Sequence, residues 1–238
     1  MAMWTMILGV AIFPLALAGS PPAQVRKVTR LWARGVLALL RRTVGIDHVV
    51  QGREHIPAGP CLIVCNHQSG WETIAALLLF PDVAIVTKRE LLRVPVIGWY
   101  LKHSPMIIID RAAGLESIRG MARESLRTVR EGRSVLIFPE GTRVAPAATI
   151  RFKRGVEFLI SALHVPVLPV VHDAGCYWSR NGKLPGTIHV KILAPLPARA
   201  SGAELAGEAE MLMNAEGSTG SERKSPPTGR CLSRKHAA

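Results

Sequence analysis

Apolar and polar positions divide the chain into stretches of different texture. Residues 1–25 carry no charged side chain, and MWTMILGVAIFPLALAG (3–19) is almost unbroken apolar sequence. That run is close to the roughly 20 residues a helix needs to cross a bilayer. Pro14 would kink such a helix, so two short membrane-embedded helices fit as well as one span. The small residues of ALAGS (16–20) also allow a cleaved leader, against which stands the lack of Lys or Arg ahead of the apolar run.

The second stretch, QVRKVTRLWARGVLALLRRTVGI (24–46), interleaves Arg26, Lys27, Arg30, Arg34, Arg41 and Arg42 with Val28, Leu31, Trp32, Val36, Leu37 and Leu40. This pattern predicts a basic amphipathic helix lying at a membrane surface. A helix packed on a folded domain is the competing reading. Positive charge after the apolar run would keep the rest of the chain on the cytoplasmic side.

From residue 49 onward, short apolar runs alternate with amphipathic segments. CLIVC (61–65), VAIVT (83–87), MIIID (106–110), VLIF (135–138), VPVLPVV (165–171) and TIHVKIL (187–193) read as strands. WETIAALLL (71–79) reads as a helix. In GLESIRGMARESLRTVREG (114–132), Leu115, Ile118, Ala122, Leu126 and Val129 recur at helical spacing, opposite Arg119, Arg123, Arg127 and Arg130, and Gly132 ends the helix. Continuous apolar strands alternating with helices predict an α/β domain whose sheet is covered on both faces. The expected division is a membrane-associated helical segment at 1–45, a folded domain at 46–213, and a disordered basic tail at 214–238, rich in Gly, Ser and Pro.

Composition narrows the partners. With 238 residues, 48% of them hydrophobic, the chain holds one domain of this kind plus terminal attachments. A net charge of +13 calls for an anionic partner: nucleic acid, anionic lipid or a phosphorylated substrate. Aromatics are only 5%, and no basic segment interleaved with them occurs, which argues against nucleic acid. Cys61, Cys65, Cys176 and Cys231 form no CxxC pair, so they read as free thiols in a reducing compartment.

Ligands of open α/β sheets sit beyond the carboxyl ends of the strands. If the strands run parallel, that edge gathers His67, Lys88, Arg89, Asp110, Arg111, Glu140, Arg143, His172 and Asp173. In NHQSGWET (66–73), Ser69 and Glu72 have the spacing of a helix capping box. The same carboxylate could accept a hydrogen bond from His67, fix its tautomer, and let it take a proton from a hydroxyl. Both readings are compatible. In LIFPEGTR (136–143), Gly141 permits a tight turn from which Glu140, Thr142 and Arg143 project, an arrangement suited to a phosphate monoester. A solvated surface turn is the bland alternative.

Taken in order, these segments resemble the glycerolipid acyltransferases, the family that includes the 1-acylglycerol-3-phosphate acyltransferases. NHQSGWE matches the family's histidine and acidic residue with four positions between them, here with Glu72 where aspartate is usual. TKRELLRVPVIGWYLK (87–102) with IDR (109–111), FPEGTR (138–143) and VPVLPV (165–170) look like its further blocks, and FKRGVEFL (152–159) is also similar. The resemblance covers roughly residues 52–196. It implies a mixed, largely parallel central sheet covered by helices, of the glycerolphosphate acyltransferase type, with amino-terminal membrane-associated helices.

The resemblance also implies a reaction. His67, oriented by Glu72, would deprotonate the free sn-2 hydroxyl of a lysophosphatidic acid, which attacks the thioester carbon of an acyl-carrier-protein or coenzyme A donor. Arg143 with Glu140, Gly141 and Thr142 would hold the phosphate, with Lys88, Arg89 and Arg111 as further phosphate-binding candidates. No metal and no organic cofactor is implied. The location implied is a bacterial-type inner membrane, with lipid as partner and the catalytic domain on the cytoplasmic side. Other readings are a different lyso-lipid acceptor, such as a lyso-ornithine lipid, or a non-catalytic peripheral membrane protein of the same fold. A metal hydrolase built on His67, Glu72 and Cys65 lacks a further ligand cluster at recognisable spacing.

Overall fold

The computed structural model describes residue 19 and residues 21–221, apart from Pro95, Arg111, Ala112, Ala147, Arg180 and Ala200. Its helices are α1 (Pro22–Thr43), α2 (Trp71–Leu79), α3 (Ile97–His103), α4 (Gly114–Arg130), α5 (Arg154–Leu163) and α6 (Gly202–Ser221). Its strands are β1 (Ile46–Gln51), β2 (Leu62–Cys65), β3 (Val83–Lys88), β4 (Ile107–Ile109), β5 (Ser134–Ile137), β6 (Val167–His172), β7 (Trp178–Ser179), β8 (Gly182–Lys183) and β9 (Gly186–Ile192).

Among the described residues, seven strands form one sheet in the order β1-β9-β6-β2-β5-β3-β4, and β7 and β8 form a small hairpin. The run β6-β2-β5-β3-β4 is parallel throughout. β9 pairs antiparallel with β6, and β1 runs parallel to β9. The sheet is therefore mixed and largely parallel, and all six strands read from apolar runs are present. β1 escapes a reading by apolar runs because its sequence, IDHVVQ, is half polar, in keeping with its edge position.

β2 lies at the centre and explains the two-sided burial. Leu62 and Val64 face a core with α4, α5 and α6, whereas Ile63 and Cys65 face one with α1 and α2. Alternate residues of a strand point to opposite faces, so a strand covered on both sides must be apolar at every position. The stripe of α4 is turned slightly from the one its spacing predicts. Met121, Ala122, Ser125 and Thr128 are buried, while Leu115, in the first turn, is exposed.

Two expectations change. Helix α1 buries Val25, Thr29, Ala33, Val36 and Leu40 against the domain, a stripe that shares only Val36 and Leu40 with the apolar face read from the sequence and leaves Leu31 exposed. Three of its five arginines are engaged: Arg26 pairs with Asp82 at 3.1 Å, Arg41 pairs with Asp47 at 3.1 Å, and Arg30 donates to the carbonyls of Phe80 and Pro81. Periodicity reports which face is apolar but not what covers it, and here the domain covers Val36 and Leu40 but leaves Leu31 exposed. The second change is at the tail, where α6 continues to Ser221. Asn214 hydrogen-bonds both backbone groups of Ile150, and Glu216 pairs with Lys191 at 2.6 Å, so tertiary partners order a segment whose composition reads as tail. Among the described residues no helix is long and apolar enough to cross a membrane. The amino-terminal apolar run lies outside them except for Gly19, and so do residues 222–238 and Cys231.

Candidate active site

The carboxyl edge of the parallel strands carries the candidate residues. β2 ends at Cys65, and the loop 66–70 leads into α2, whose first turn holds Glu72. The Oε1 of Glu72 lies 2.8 Å from Nδ1 of His67 and accepts the backbone N–H groups of Gln68 and Ser69, at 2.8 and 2.7 Å. Its Oε2 accepts the Ser69 hydroxyl, and the Ser69 Oγ accepts the N–H of Trp71. One carboxylate thus serves both the helix start and the imidazole.

Glu72 is buried, and burial alone would raise its pKa. The proximity of His172 and the hydrogen bonds from His67 and Ser69 outweigh that and bring it down to about 2. Burial also lowers the pKa of His172, opposed by the neighbouring Glu72 carboxylate. An ionised Glu72 requires the proton on Nδ1 of His67, which leaves Nε2 with a free lone pair. The ring of Phe138 stacks on His67, with centroids 4.1 Å apart.

His67 lines a cavity of about 850 Å³ whose wall is mainly apolar, with residues of α1, α2 and α3 among its lining, Trp32, Leu77 and Ile97 included. Lys88, Thr142, Arg143 and Lys153 line the same cavity. Arg143 lies over Gly70, and Lys88, Arg143 and Lys153 form no salt bridge with a described residue. Lys153 has no place in the sequence-derived site. The only cue to it is its position in FKRG, just ahead of a helix. Its N–H donates to the Pro139 carbonyl at 3.1 Å, which ties it to the phosphate-suited loop.

Other sequence candidates fall elsewhere. Gly141 has φ 68° and donates its N–H to the Phe138 carbonyl, so it shapes the turn instead of offering a donor. Glu140 is buried: Oε1 accepts the N–H of His67 at 3.3 Å, and Oε2 has no hydrogen-bond partner among the described residues. Burial and the nearby Glu72 push its pKa up to about 7. Arg89 pairs with Asp110 at 2.9 Å and does not line the cavity. Asp173 turns to His189 on β9. Arg111 lies outside the described residues. Burial and two neighbouring carboxylates push the Cys65 thiol well up, so it supplies no thiolate.

The acyltransferase family profile matches residues 47–173, the stretch that contains this dyad and both flanking strands. The chain belongs to the acyltransferase family. It is 40% identical over 182 residues to the 1-acyl-sn-glycerol-3-phosphate acyltransferase of Pseudomonas aeruginosa, covering 76% of this chain and 71% of that protein. It is 28% identical to the alpha form from Mus musculus, over 81% of this chain and 68% of the relative. In fold, this acyltransferase is similar to the crystal structure of the 1-acyl-sn-glycerophosphate acyltransferase PlsC from Thermotoga maritima. The TM-score is 0.69 at 22% identity, covering 94% of this chain and 99% of that one.

Proposed function

We propose that this acyltransferase moves an acyl group from an acyl-carrier-protein or coenzyme A thioester to the free sn-2 hydroxyl of 1-acylglycerol-3-phosphate, forming phosphatidic acid. The observation that carries the reading is the 2.8 Å contact of Glu72 with His67, which lines a largely apolar cavity that also holds three cations. The relatives named for this acceptor support the choice of lyso-lipid.

His67 Nε2 takes the hydroxyl proton as the oxygen bonds to the thioester carbon. The tetrahedral adduct collapses by breaking its C–S bond. The thiolate then receives the proton from His67, so the products are ester and thiol, and Nε2 is free again. Glu72 holds the ring and stabilises its protonated form, and the proton transfer to His67 is worth roughly 10²–10⁴ in rate. Arg143, Lys88, Lys153 and the Thr142 hydroxyl bind the acceptor's phosphate by charge-assisted contacts. The apolar wall takes acyl chain.

The enzyme works at an anionic lipid surface on the cytoplasmic side. Leu91, Val94 and Ile97 are exposed on the segment that rims the cavity, and Lys88, Arg89 and Arg93 accompany them. Apolar residues flanked by cations suit insertion among anionic headgroups.

The test supplies purified wild-type and His67→Ala protein with lysophosphatidic acid and each thioester in turn. The expected result is phosphatidic acid from the wild type alone. Equal formation by both proteins overturns the mechanism, and none from either overturns the acceptor and donor assignment.

A further inference from the structure

The peptide unit between Asn66 and His67 is held at both ends. Its N–H, on His67, donates to Glu140 Oε1 at 3.3 Å. Its carbonyl, on Asn66, lies 2.8 Å from Nε2 of His172, a buried residue at the end of β6 that the mechanism above does not use. The orientation of this peptide sets φ of His67, and therefore where the imidazole starts from.

His172 is fixed in its turn. Its Nδ1 faces the N–H of Ala174 at 3.2 Å, so Nδ1 accepts and Nε2 carries the hydrogen that goes to Asn66. The Asn66 side chain completes a reciprocal clamp. Its Nδ2 donates to the His172 carbonyl at 2.9 Å, and its Oδ1 accepts the His172 N–H at 3.0 Å. The amide thereby imitates one more residue of sheet pairing between β2 and β6, beyond the Cys65–Val170 pair. The same loops meet again at Gly175, whose N–H donates to Gln68 Oε1 at 3.1 Å. A Cβ at Gly175 would come within 2.9 Å of the Gln68 Cβ.

We infer that His172 is a positioning residue for the reaction, acting through its Nε2–H bond to the Asn66 carbonyl to set the backbone that aims His67. Glu72 fixes the imidazole from the side-chain end, and His172 fixes it from the main-chain end. A displacement of about 1 Å in a reacting group costs on the order of 100-fold in rate, so loss of this bond falls on the chemical step. The inference rests on His67 being the general base.

Asparagine and glutamine separate the two bonds of His172. Gln places its terminal amide where Nε2 stands and keeps donation to the Asn66 carbonyl. Asn places its amide near Nδ1, keeps the Ala174 contact, and does not reach Asn66. Both variants are measured beside wild type and His67→Ala, with kcat and KM for lysophosphatidic acid and for the thioester normalised to the folded fraction from circular dichroism. The expected result is His172→Gln within about threefold of wild type in kcat, and His172→Asn at least about tenfold lower, with both KM values changed less than about threefold. Equal kcat for the Asn and Gln variants overturns the inference, as does a loss confined to KM. Full activity in His67→Ala instead overturns the general-base reading itself.

Discussion

The imidazole of His67 and the ring of Phe138 stack face to face, with centroids 4.1 Å apart and planes inclined by 19°. This contact joins the loop after β2 to the loop after β5, and so unites two segments 71 positions apart in the chain. Glu72 restrains the imidazole in its plane, and Phe138 restrains it against tilting. Phe138→Leu is expected to lower kcat about 3- to 30-fold with little change in either KM, because the nucleophile–base geometry loosens while the binding groups stay in place. Steady-state kinetics with both substrates varied checks this.

Glu72→Gln keeps the shape of the side chain and removes its charge. Loss of tautomer control and of the charge opposite the protonated imidazole is expected to cost roughly 10²–10⁴ in kcat. Glu72→Asp, which keeps the carboxylate, should retain more activity than Glu72→Gln. The order of the two variants in kcat, at matched melting temperature, decides the point.

The two buried carboxyls act on stability in opposite pH windows. Glu72, held at about 2, stabilises the fold above its ordinary pKa of 4.5, and that contribution is lost as pH falls from about 4.5 to 2. Glu140, raised to about 7, is protonated in the fold where it would be ionised in the unfolded chain. Its contribution is complete below 4.5 and is lost as pH rises from there to about 7. Glu140→Gln should therefore be more stable than wild type above pH 7, by on the order of 1–3 kcal/mol, with the difference shrinking toward pH 5. Urea unfolding at a series of pH values measures it, and a pH-independent difference contradicts the assignment.

Arg143 and Lys153 line the cavity with no salt bridge to a described residue, which leaves both available to the phosphate under the proposed function. Arg143→Ala and Lys153→Ala are each expected to raise KM for lysophosphatidic acid about 5- to 100-fold, leaving KM for the thioester within about twofold. Arg143→Lys should recover only part of the loss, since an ammonium cannot form a bidentate contact. Competition by inorganic phosphate, weaker in the alanine variants, gives an independent measure.

Val94 is exposed on the cavity rim but does not line the cavity. A nitroxide attached at Val94→Cys, in a background without Cys176 and Cys231, should become accessible to oxygen and shielded from a water-soluble relaxant when vesicles containing anionic lipid are added. Unchanged exposure to the aqueous relaxant on vesicle-bound protein contradicts membrane contact at this rim.

Much of the site is local and therefore legible in the chain. Four residues separate His67 from Glu72, and the turn from β2 into α2 brings such neighbours together whatever the rest of the fold does. The runs CLIVC and VPVLPVV read correctly as strands because burial on both faces favours apolar residues at successive positions, and Gly132 ends α4 with φ 78°. The features that depend on sheet order were not legible. Neither the reversal of β9 and β1, nor the burial of Glu140 with one oxygen unpaired, nor the entry of Lys153 into the cavity leaves a periodic trace. The clamp between Asn66 and His172 spans 106 positions and exists only because β6 lies beside β2 in parallel register. Local sequence sets torsion and burial, but which strands become neighbours follows from packing all the strands and helices at once. The His67–Glu72 pair is therefore written in one short segment from loop to helix, whereas the clamp on its backbone comes from the neighbouring strand β6.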